Sequence, residues 1–144
     1  MKKVVITSGY FNPLHIGHVN LIREAKKLGD YLIVVVNNDK QVKIKGSIPF
    51  MPEGERLEII KALKPIDEAF LSIDVESGRQ DKTLEFLAKK HKGCEIIFAK
   101  GGDSTMKNIE TETCEKCGIK IVLDVGGGKV QSSSWLLKGV GEDK

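Results

Sequence analysis

The sequence is poor in the features that define several large classes of protein. It has only three cysteines among 144 residues, and an odd number argues against a disulfide framework. It has no apolar run of about 18 residues, the length that crosses a membrane. Its first residues lead directly into a short β-like run instead of a signal-peptide core. We therefore expect a cytoplasmic protein that does not enter a membrane.

The charges are nearly balanced and are scattered along the chain. The 23 Lys and Arg residues stand against 20 Asp and Glu residues, which gives a formal net charge of +3. Because the basic residues form no block, the charge pattern does not predict nucleic-acid binding, although a slightly basic chain suits an anionic substrate. The length is that of one ordinary domain, so we expect a single domain over residues 1–144.

Cys114 and Cys117 form a lone CxxC pair. A closed structural zinc site needs two more ligands, and His91 and Cys94 would qualify only if the fold brought them close. The same spacing simply places two residues on one face of a helix. We interpret these cysteines as ordinary reduced thiols and predict no metal ligands on the protein.

Short apolar runs alternate with amphipathic stretches along the chain. Tyr31–Val36 is mostly β-branched, as in a strand buried on both faces of a parallel sheet. Residues 38–51 are polar and lysine-rich and contain Gly46 and Pro49, so they predict a long loop. The predicted strands are residues 3–7, 31–36, 68–73, 95–99 and 119–123. The predicted helices are residues 17–28 (ended by Gly29), 53–63 (started by Pro52), 82–91 and 108–116 (ended by Gly118).

This order of elements predicts the α/β class, with one doubly wound, Rossmann-like domain and a five-stranded parallel sheet. Strands that are joined through helices pair in parallel by right-handed crossovers. Ligands of such sheets bind beyond the carboxyl ends of the strands. We expect four polar segments to converge there, namely residues 9–18, 37–51, 100–103 and 126–134.

The segment Gly-Tyr-Phe-Asn-Pro-Leu-His-Ile-Gly-His, residues 9–18, joins the first predicted strand to the first predicted helix. Backbone N–H groups and the positive end of a helix dipole attract an anion at such a turn. His15 and His18 lie three residues apart on the first helical turn and add side-chain donors. The sequence therefore predicts a phosphate site at this turn.

Several motifs resemble those of the nucleotidyltransferase superfamily typified by the cytidylyltransferases and their adenylyltransferase relatives. Residues 9–18 are similar to the GxFDxxHxGH signature of that superfamily, and residues 25–36 are similar to its AKxLGDxLIVGV run. Further matches are the loop lysine at Lys45-Gly46, the ER or HR pair at Glu55-Arg56, the VDE at Ile66-Asp67-Glu68, and the ISSTxIR or ISTT element at Ser132-Ser133-Ser134.

The resemblance implies an enzyme that transfers a nucleoside monophosphate from a nucleoside triphosphate, CTP or ATP, to the phosphate of a small acceptor. The acceptor phosphate would attack the α-phosphorus in line, and pyrophosphate would leave. Mg²⁺ is the expected cofactor because it neutralises the triphosphate, with phosphate and water as most of its ligands. The resemblance also implies a homodimer.

By the resemblance, His15, His18 and Lys45 are the predicted catalytic residues. The histidines would donate hydrogen bonds to α- and β-phosphate oxygens, and Lys45 would reach the phosphates when its loop closes. The alternative is that one histidine only starts the helix. The predicted nucleotide-binding residues are Gly9, Tyr10, Phe11, Asn12, Gly17, Gly102, Asp103, Ser132, Ser133, Ser134 and Lys138. The predicted substrate-binding residues are Lys43 and Arg56.

Several of these residues have structural alternatives. Phe11 could belong to the core, and Arg56 could be an exposed helix residue. Asp103 could cap the following turn, and the serines at 132–134 could cap a helix. Asn12 leaves the base open. The cytidylyltransferase signature has Asp at this position, whereas Asn12-Pro13 resembles the FNPxH form of adenylyltransferases of the nicotinamide pathway. The chain length and the motifs at 25–36 and 66–68 favour a cytidylyltransferase that acts on a phosphorylated alcohol or sugar, which is our first prediction.

Two other functions stay open at this point. Asn12-Pro13 and the three serines favour adenylyl transfer from ATP almost as strongly as the other motifs favour cytidylyl transfer. A nucleotide-binding module without catalysis is the third possibility, because Lys138 stands where ISSTxIR has its arginine. An ammonium group there is a point charge, whereas the guanidinium of arginine binds phosphate in a bidentate manner.

Overall fold

Five parallel strands form one sheet in the computed structural model, which describes residues 2–102 and 110–126. The strands are β1 (Lys3–Gly9), β2 (Tyr31–Val36), β3 (Glu68–Leu71), β4 (Glu95–Gly101) and β5 (Ile119–Val125). The helices are α1 (Ile16–Lys26), α2 (Asp39–Ile44), α3 (Glu53–Lys61), α4 (Asp81–Lys90) and α5 (Thr111–Cys117). The predicted doubly wound α/β domain with a five-stranded parallel sheet is confirmed.

The strand order β3-β2-β1-β4-β5 reverses direction at β1. The chain moves outward from β1 to β3 and then returns to β4 on the other side of β1. Ile6 of β1 consequently pairs with Ile33 of β2 on one side and with Phe98 of β4 on the other. A reversal of this kind opens a crevice beyond the carboxyl ends of the central strands, where ligands of doubly wound sheets bind.

Successive side chains of a strand point to opposite faces of the sheet, and both faces are covered by helices. Val4 and Ile6 of β1 pack with Leu84 of α4 and Cys114 of α5. Val5, which lies between them in the sequence, packs on the opposite face of the sheet, in a cluster that contains residues of α1 and α3. This double coverage explains why β2 reads as an uninterrupted apolar run.

No helix in the described ranges is long and apolar enough to cross a membrane. The three cysteines are free, and Cys114 is buried in the core. A buried thiol of this kind packs like a small apolar side chain. The interpretation of the cysteines as reduced thiols agrees with this arrangement.

Residues 39–44 form the short helix α2, whereas the sequence predicted a loop from 38 to 51. Reciprocal side-chain bonds start this helix: Asn38 Oδ1 accepts the N–H of Gln41, and Gln41 Oε1 accepts the N–H of Asn38. Gln41 and Val42 form its buried side. Because one of the two buried residues is polar, the helix leaves no apolar periodicity in the sequence. The remaining connection, residues 45–52, is called the α2–α3 loop below.

Two glycines that were predicted to end helices have different roles. Gly118 follows α5 with a φ of +71°, so the predicted left-handed cap is confirmed. Helix α1 instead ends at Lys26, and its C-cap Lys27 is right-handed. Gly29 lies against β1, where an added Cβ would be 2.9 Å from the carbonyl oxygen of Lys3 and 2.8 Å from Val5 Cγ2. The close approach of two backbones, and not a helix cap, explains this glycine.

We expect Gly29→Ala to lower the free energy of unfolding by about 1–3 kcal/mol, because the backbone oxygen of Lys3 cannot move without disturbing β1. Gly54→Ala is the matched control, since a Cβ on Gly54 of α3 would meet nothing within 4 Å. Alanine should stabilise that helix by up to about 1 kcal/mol. Urea unfolding measures both. A Gly29→Ala protein as stable as the wild type would show that β1 tolerates a side chain here.

Candidate functional site

His15 and His18 lie at the start of α1, just beyond the carboxyl end of β1. His15 is the N-cap, and its Nδ1 accepts the N–H of Gly17 at 3.1 Å. His18 Nδ1 accepts the N–H of His15 at 3.2 Å. The two rings stack, with centroids 3.8 Å apart. Because each Nδ1 accepts a backbone hydrogen bond, each neutral ring carries its proton on Nε2.

Both histidines therefore help to start the helix, although we considered this role for only one of them. The capping hydrogen bonds use Nδ1 and leave Nε2 as the donor atom of each neutral imidazole. A structural role and a phosphate-binding role are compatible in the same side chain. The capping bonds also fix the orientation of the rings, as a donor site requires.

The His18 imidazole is held in its neutral form. Burial lowers its pKa to about 3, and the electrostatic interactions with His15 and Lys45 act in the same direction. The edge of the ring meets Phe11 with a centroid distance of 4.8 Å, which contributes to that burial. At neutral pH His18 can thus donate a hydrogen bond but contributes no charge.

Lys45 approaches the histidines from a different element of the fold. It is the C-cap of α2, and its Nζ lies 4.3 Å from the centroid of the Tyr10 ring. The positive charge of Lys45 lowers the pKa of His18. The structure thus brings together the three residues that the sequence analysis predicted as catalytic, although Lys45 is 27 positions beyond His18.

Gly9 and Phe11 shape the turn that leads from β1 into α1. Phe11 has a φ of +50° and is 1 % exposed, so its side chain belongs to the core. A Cβ on Gly9 would lie 2.8 Å from Cζ of the Phe11 ring, which explains the glycine. Burial raises the pKa of the Tyr10 phenol between them. Glycine at position 9 thus lets the ring of Phe11 fold back beneath the turn.

Three more of the predicted residues lie near the carboxyl edge of the sheet. Gly17 is in the first turn of α1, and its N–H is the one held by His15. Gly102 follows β4 and is exposed, and Lys43 is exposed in the last turn of α2. The predicted binding roles of these residues stay predictions.

The side chain of Asn12 binds the α2–α3 loop. Its Nδ2 donates to the carbonyl oxygen of Ile48 at 2.9 Å, and its Oδ1 accepts the N–H of Phe50 at 2.6 Å. Only this orientation of the amide gives Ile48 a donor and Phe50 an acceptor. Asn12 is 3 % exposed. The prediction that its side chain meets the nucleotide directly does not fit this geometry, because both polar atoms are engaged with backbone.

Arg56 is fully buried, and its guanidinium binds protein groups on three sides. Nε donates to the carbonyl oxygen of Met51 at 2.9 Å. Nη1 donates to the carbonyl oxygens of Tyr10 at 2.7 Å and Asn37 at 2.6 Å, and Nη2 donates to the carboxylate of Asp39 at 2.7 Å. The predicted substrate-binding role is therefore corrected, and so is the alternative of an exposed helix residue. Arg56 ties the ends of β1 and β2 to the start of α2.

The rest of the predicted site, Asp103, Ser132, Ser133, Ser134 and Lys138, lies outside the described residues. Within residues 2–102 and 110–126, no group of three or more His, Cys, Asp or Glu side chains is arranged to hold a metal ion.

Residues 6–124 match the family model described as cytidylyltransferase-like. The chain belongs to this family. As a cytidylyltransferase-like protein it is a nucleotidyltransferase, which agrees with the resemblance found in its motifs.

Two curated relatives of this cytidylyltransferase-like chain are named FAD synthase. The protein of Ferroglobus placidus is 56% identical over 71 residues, which cover 49% of this chain and 45% of the relative. The protein of Thermoplasma acidophilum is 43% identical over 67 residues, which cover 46% of this chain and 47% of the relative. The chain thus spans about half the length of the curated relatives that it matches.

A solved structure resembles the cytidylyltransferase-like chain over more of its length. It is that of a lipopolysaccharide core biosynthesis protein from Thermoplasma volcanium, with 32% identity and a TM-score of 0.70. The match covers 85% of this chain and 96% of that one. The similarity therefore extends over nearly the whole of that protein.

Sequence reasoning missed a buried polar network beyond β2 and β3 of this cytidylyltransferase-like domain. Asn37 Oδ1 accepts from Gln80 Nε2 at 3.1 Å, and Gln80 Oε1 accepts from the Ser72 hydroxyl at 2.6 Å. Asn38 Nδ2 donates to the carbonyl oxygens of Ser72 and Asp74. The available signal was the polar residues that directly follow two neighbouring strands. The network fixes the connection from β3 to α4 beside the site.

We expect Arg56→Met to lower the free energy of unfolding by about 3 kcal/mol or more, because it leaves buried carbonyl oxygens and the Asp39 carboxylate without their donor. Arg23→Met, on the exposed side of α1, is the control and should stay within about 0.5 kcal/mol of the wild type. Urea unfolding measures both. Wild-type stability combined with lost nucleotide binding would instead favour a direct phosphate contact by Arg56.

Proposed function

We propose that this chain transfers the adenylyl group of ATP to the phosphate of flavin mononucleotide, which forms flavin adenine dinucleotide and releases pyrophosphate. The observation that carries the transfer chemistry is the stacked pair of imidazoles with Lys45 beside it at the carboxyl end of β1. The choice of substrates is supported by the two relatives named FAD synthase, which align with about half of the chain.

The relatives favour ATP over CTP as the nucleotide. The product named in FAD synthase contains adenosine, so the donor of its nucleotide half is an adenylyl group. Asn12 does not bear on the choice of base, because its amide is occupied by the α2–α3 loop. Cytidylyl transfer, our first prediction from the sequence, accordingly has less support than the adenylyl alternative.

The reaction needs little covalent chemistry from the protein. An oxygen of the acceptor phosphate forms a bond to the α-phosphorus of ATP, and the bond from that phosphorus to the bridging oxygen of the β-phosphate breaks. The electron pair leaves with pyrophosphate. The acceptor phosphate is already ionised at neutral pH, so no side chain has to remove a proton. Catalysis then consists of positioning and charge stabilisation.

The histidines and Lys45 divide that work. Nε2–H groups of His15 and His18 donate to the phosphate oxygens on which charge accumulates, from a helix N-terminus that favours anions. His18 is neutral, so the positive charge at this place comes from Lys45. Mg²⁺ would enter with the triphosphate and neutralise part of its charge. Mg²⁺ and the pairing of two copies of the chain stay predictions.

Pyrophosphate release with ATP or CTP, each combined with flavin mononucleotide or with a panel of phosphorylated alcohols and sugars, tests the proposal. We expect release with ATP and flavin mononucleotide, and a product with the mass of flavin adenine dinucleotide. Release only with CTP and a phosphorylated alcohol or sugar would restore the cytidylyl reading. ATP binding without release in any combination would show a binding module and overturn the enzyme proposal.

The two functions of His18 can be separated by substitution. His18→Asn keeps an acceptor near the place of Nδ1, which caps α1, but removes Nε2, whereas His18→Ala removes both. We expect both variants to lower kcat by about 100-fold or more, as for loss of one transition-state donor. Only His18→Ala should also lose about 1 kcal/mol of helix capping. Thermal unfolding and pyrophosphate release measure the two effects. Near wild-type turnover in His18→Asn would show that Nε2 is not a donor in the reaction.

A further inference from the structure

We propose that Asn12 is a positioning residue for Lys45: its amide fastens the α2–α3 loop to the turn between β1 and α1, and so holds the lysine at the histidines. The proposal rests on the proposed function, because it concerns the lysine of the same site. It gives Asn12 an indirect role in phosphate chemistry, in place of the direct contact predicted from the sequence.

The first support is the chemistry of the contact. Ile48 offers a carbonyl oxygen and Phe50 offers an N–H, so the group between them must donate on one side and accept on the other. A side-chain amide does both. A carboxylate of the same shape accepts only, and one of its oxygens would face the carbonyl oxygen of Ile48. The loop therefore favours an amide over a carboxylate at position 12.

The second support is the short path from this contact to Lys45. Ile48 is three residues beyond Lys45, and the residues between them are bonded back onto α2. Gly46 N–H donates to Lys43 O at 2.9 Å, and Ser47 N–H donates to Val42 O at 3.1 Å. These hydrogen bonds restrict the backbone between Lys45 and Ile48, where Asn12 binds the loop. A displacement of the loop at Ile48 would accordingly move the lysine.

The third support is that the α2–α3 loop has little apolar packing of its own. Ile48 is 80 % exposed and Phe50 is 64 % exposed, so neither side chain anchors the loop in the core. Polar bonds hold it instead, with Asn12 in its middle and Arg56 at Met51. Arg56 also binds Asp39 at the start of α2, so the segment that carries Lys45 is held at both ends.

A double-mutant cycle tests the proposal. Asn12→Asp and Asn12→Leu are each placed in the wild type and in Lys45→Met, and kcat is measured by pyrophosphate release from ATP and flavin mononucleotide. In the wild-type background each substitution should lower kcat by about tenfold or more, the equivalent of one lost hydrogen bond to a buried group. In the Lys45→Met background each should change kcat by less than about twofold, because no ammonium is left to position.

The uncharged Asn12→Leu variant separates loss of the fastening from the effect of a new negative charge near the triphosphate. Equal losses in both backgrounds would overturn the proposal, since Asn12 would then act independently of Lys45. Should Asn12→Leu fail to fold, as judged by thermal unfolding, Asn12→Asp decides the test, because it keeps the acceptor for Phe50.

Hydrogen exchange provides a readout that does not need activity. The Asn12 variants should take up deuterium faster over residues 46–51, whereas Lys45→Met should match the wild type. Unchanged exchange in both Asn12 variants would overturn the fastening, even in a protein with full activity. A wild type that binds ATP but releases no pyrophosphate would count against the proposed function, and the exchange result would still decide whether Asn12 holds the loop.

Discussion

The geometry of the site depends on the burial of one positive charge. A guanidinium without access to water is costly unless its donors are bound by carbonyl or carboxylate oxygens. Arg56 meets this demand by collecting backbone oxygens from Tyr10, Asn37 and Met51 together with the carboxylate of Asp39. These groups come from the ends of β1 and β2, from the start of α2 and from the end of the α2–α3 loop. The same four contacts that satisfy the charge therefore set the positions of the phosphate-binding turn and the lysine-bearing segment.

Different atoms of the same histidine side chains serve the structure of the helix and the proposed chemistry. Each histidine spends Nδ1 on the backbone of α1 and keeps Nε2 as its donor atom. Burial lowers the pKa of His18 to about 3, so this ring serves as a neutral donor, and the charge is supplied by Lys45 from another element. The hydrogen-bond donors and the positive charge thus come from different residues. The imidazole rings are fixed by the backbone of α1, whereas the charge is carried by the long side chain of Lys45.

The family model gives the class of reaction, whereas the named relatives bear on the identity of the nucleotide. Membership of the cytidylyltransferase-like family establishes a nucleotidyltransferase, whereas its descriptive name does not choose the base. The relatives named FAD synthase favour an adenylyl donor. Asn12 does not decide between the two, because its amide is bound to the backbone of Ile48 and Phe50. Its difference from the aspartate of the cytidylyltransferase signature is explained by the loop that it holds.

The α/β class, the five strands and the turn with two histidines could be predicted from the sequence, because they depend on local periodicity and on a few neighbouring residues. Helix α2 was missed since its caps and its buried Gln41 are polar. The contacts of Asn12 and Arg56, in contrast, depend on the tertiary structure. Asn12 binds Phe50, 38 residues away, and Arg56 binds Tyr10, 46 residues away. No local pattern encodes such partners, because only the folded sheet brings the ends of separate strands to one edge.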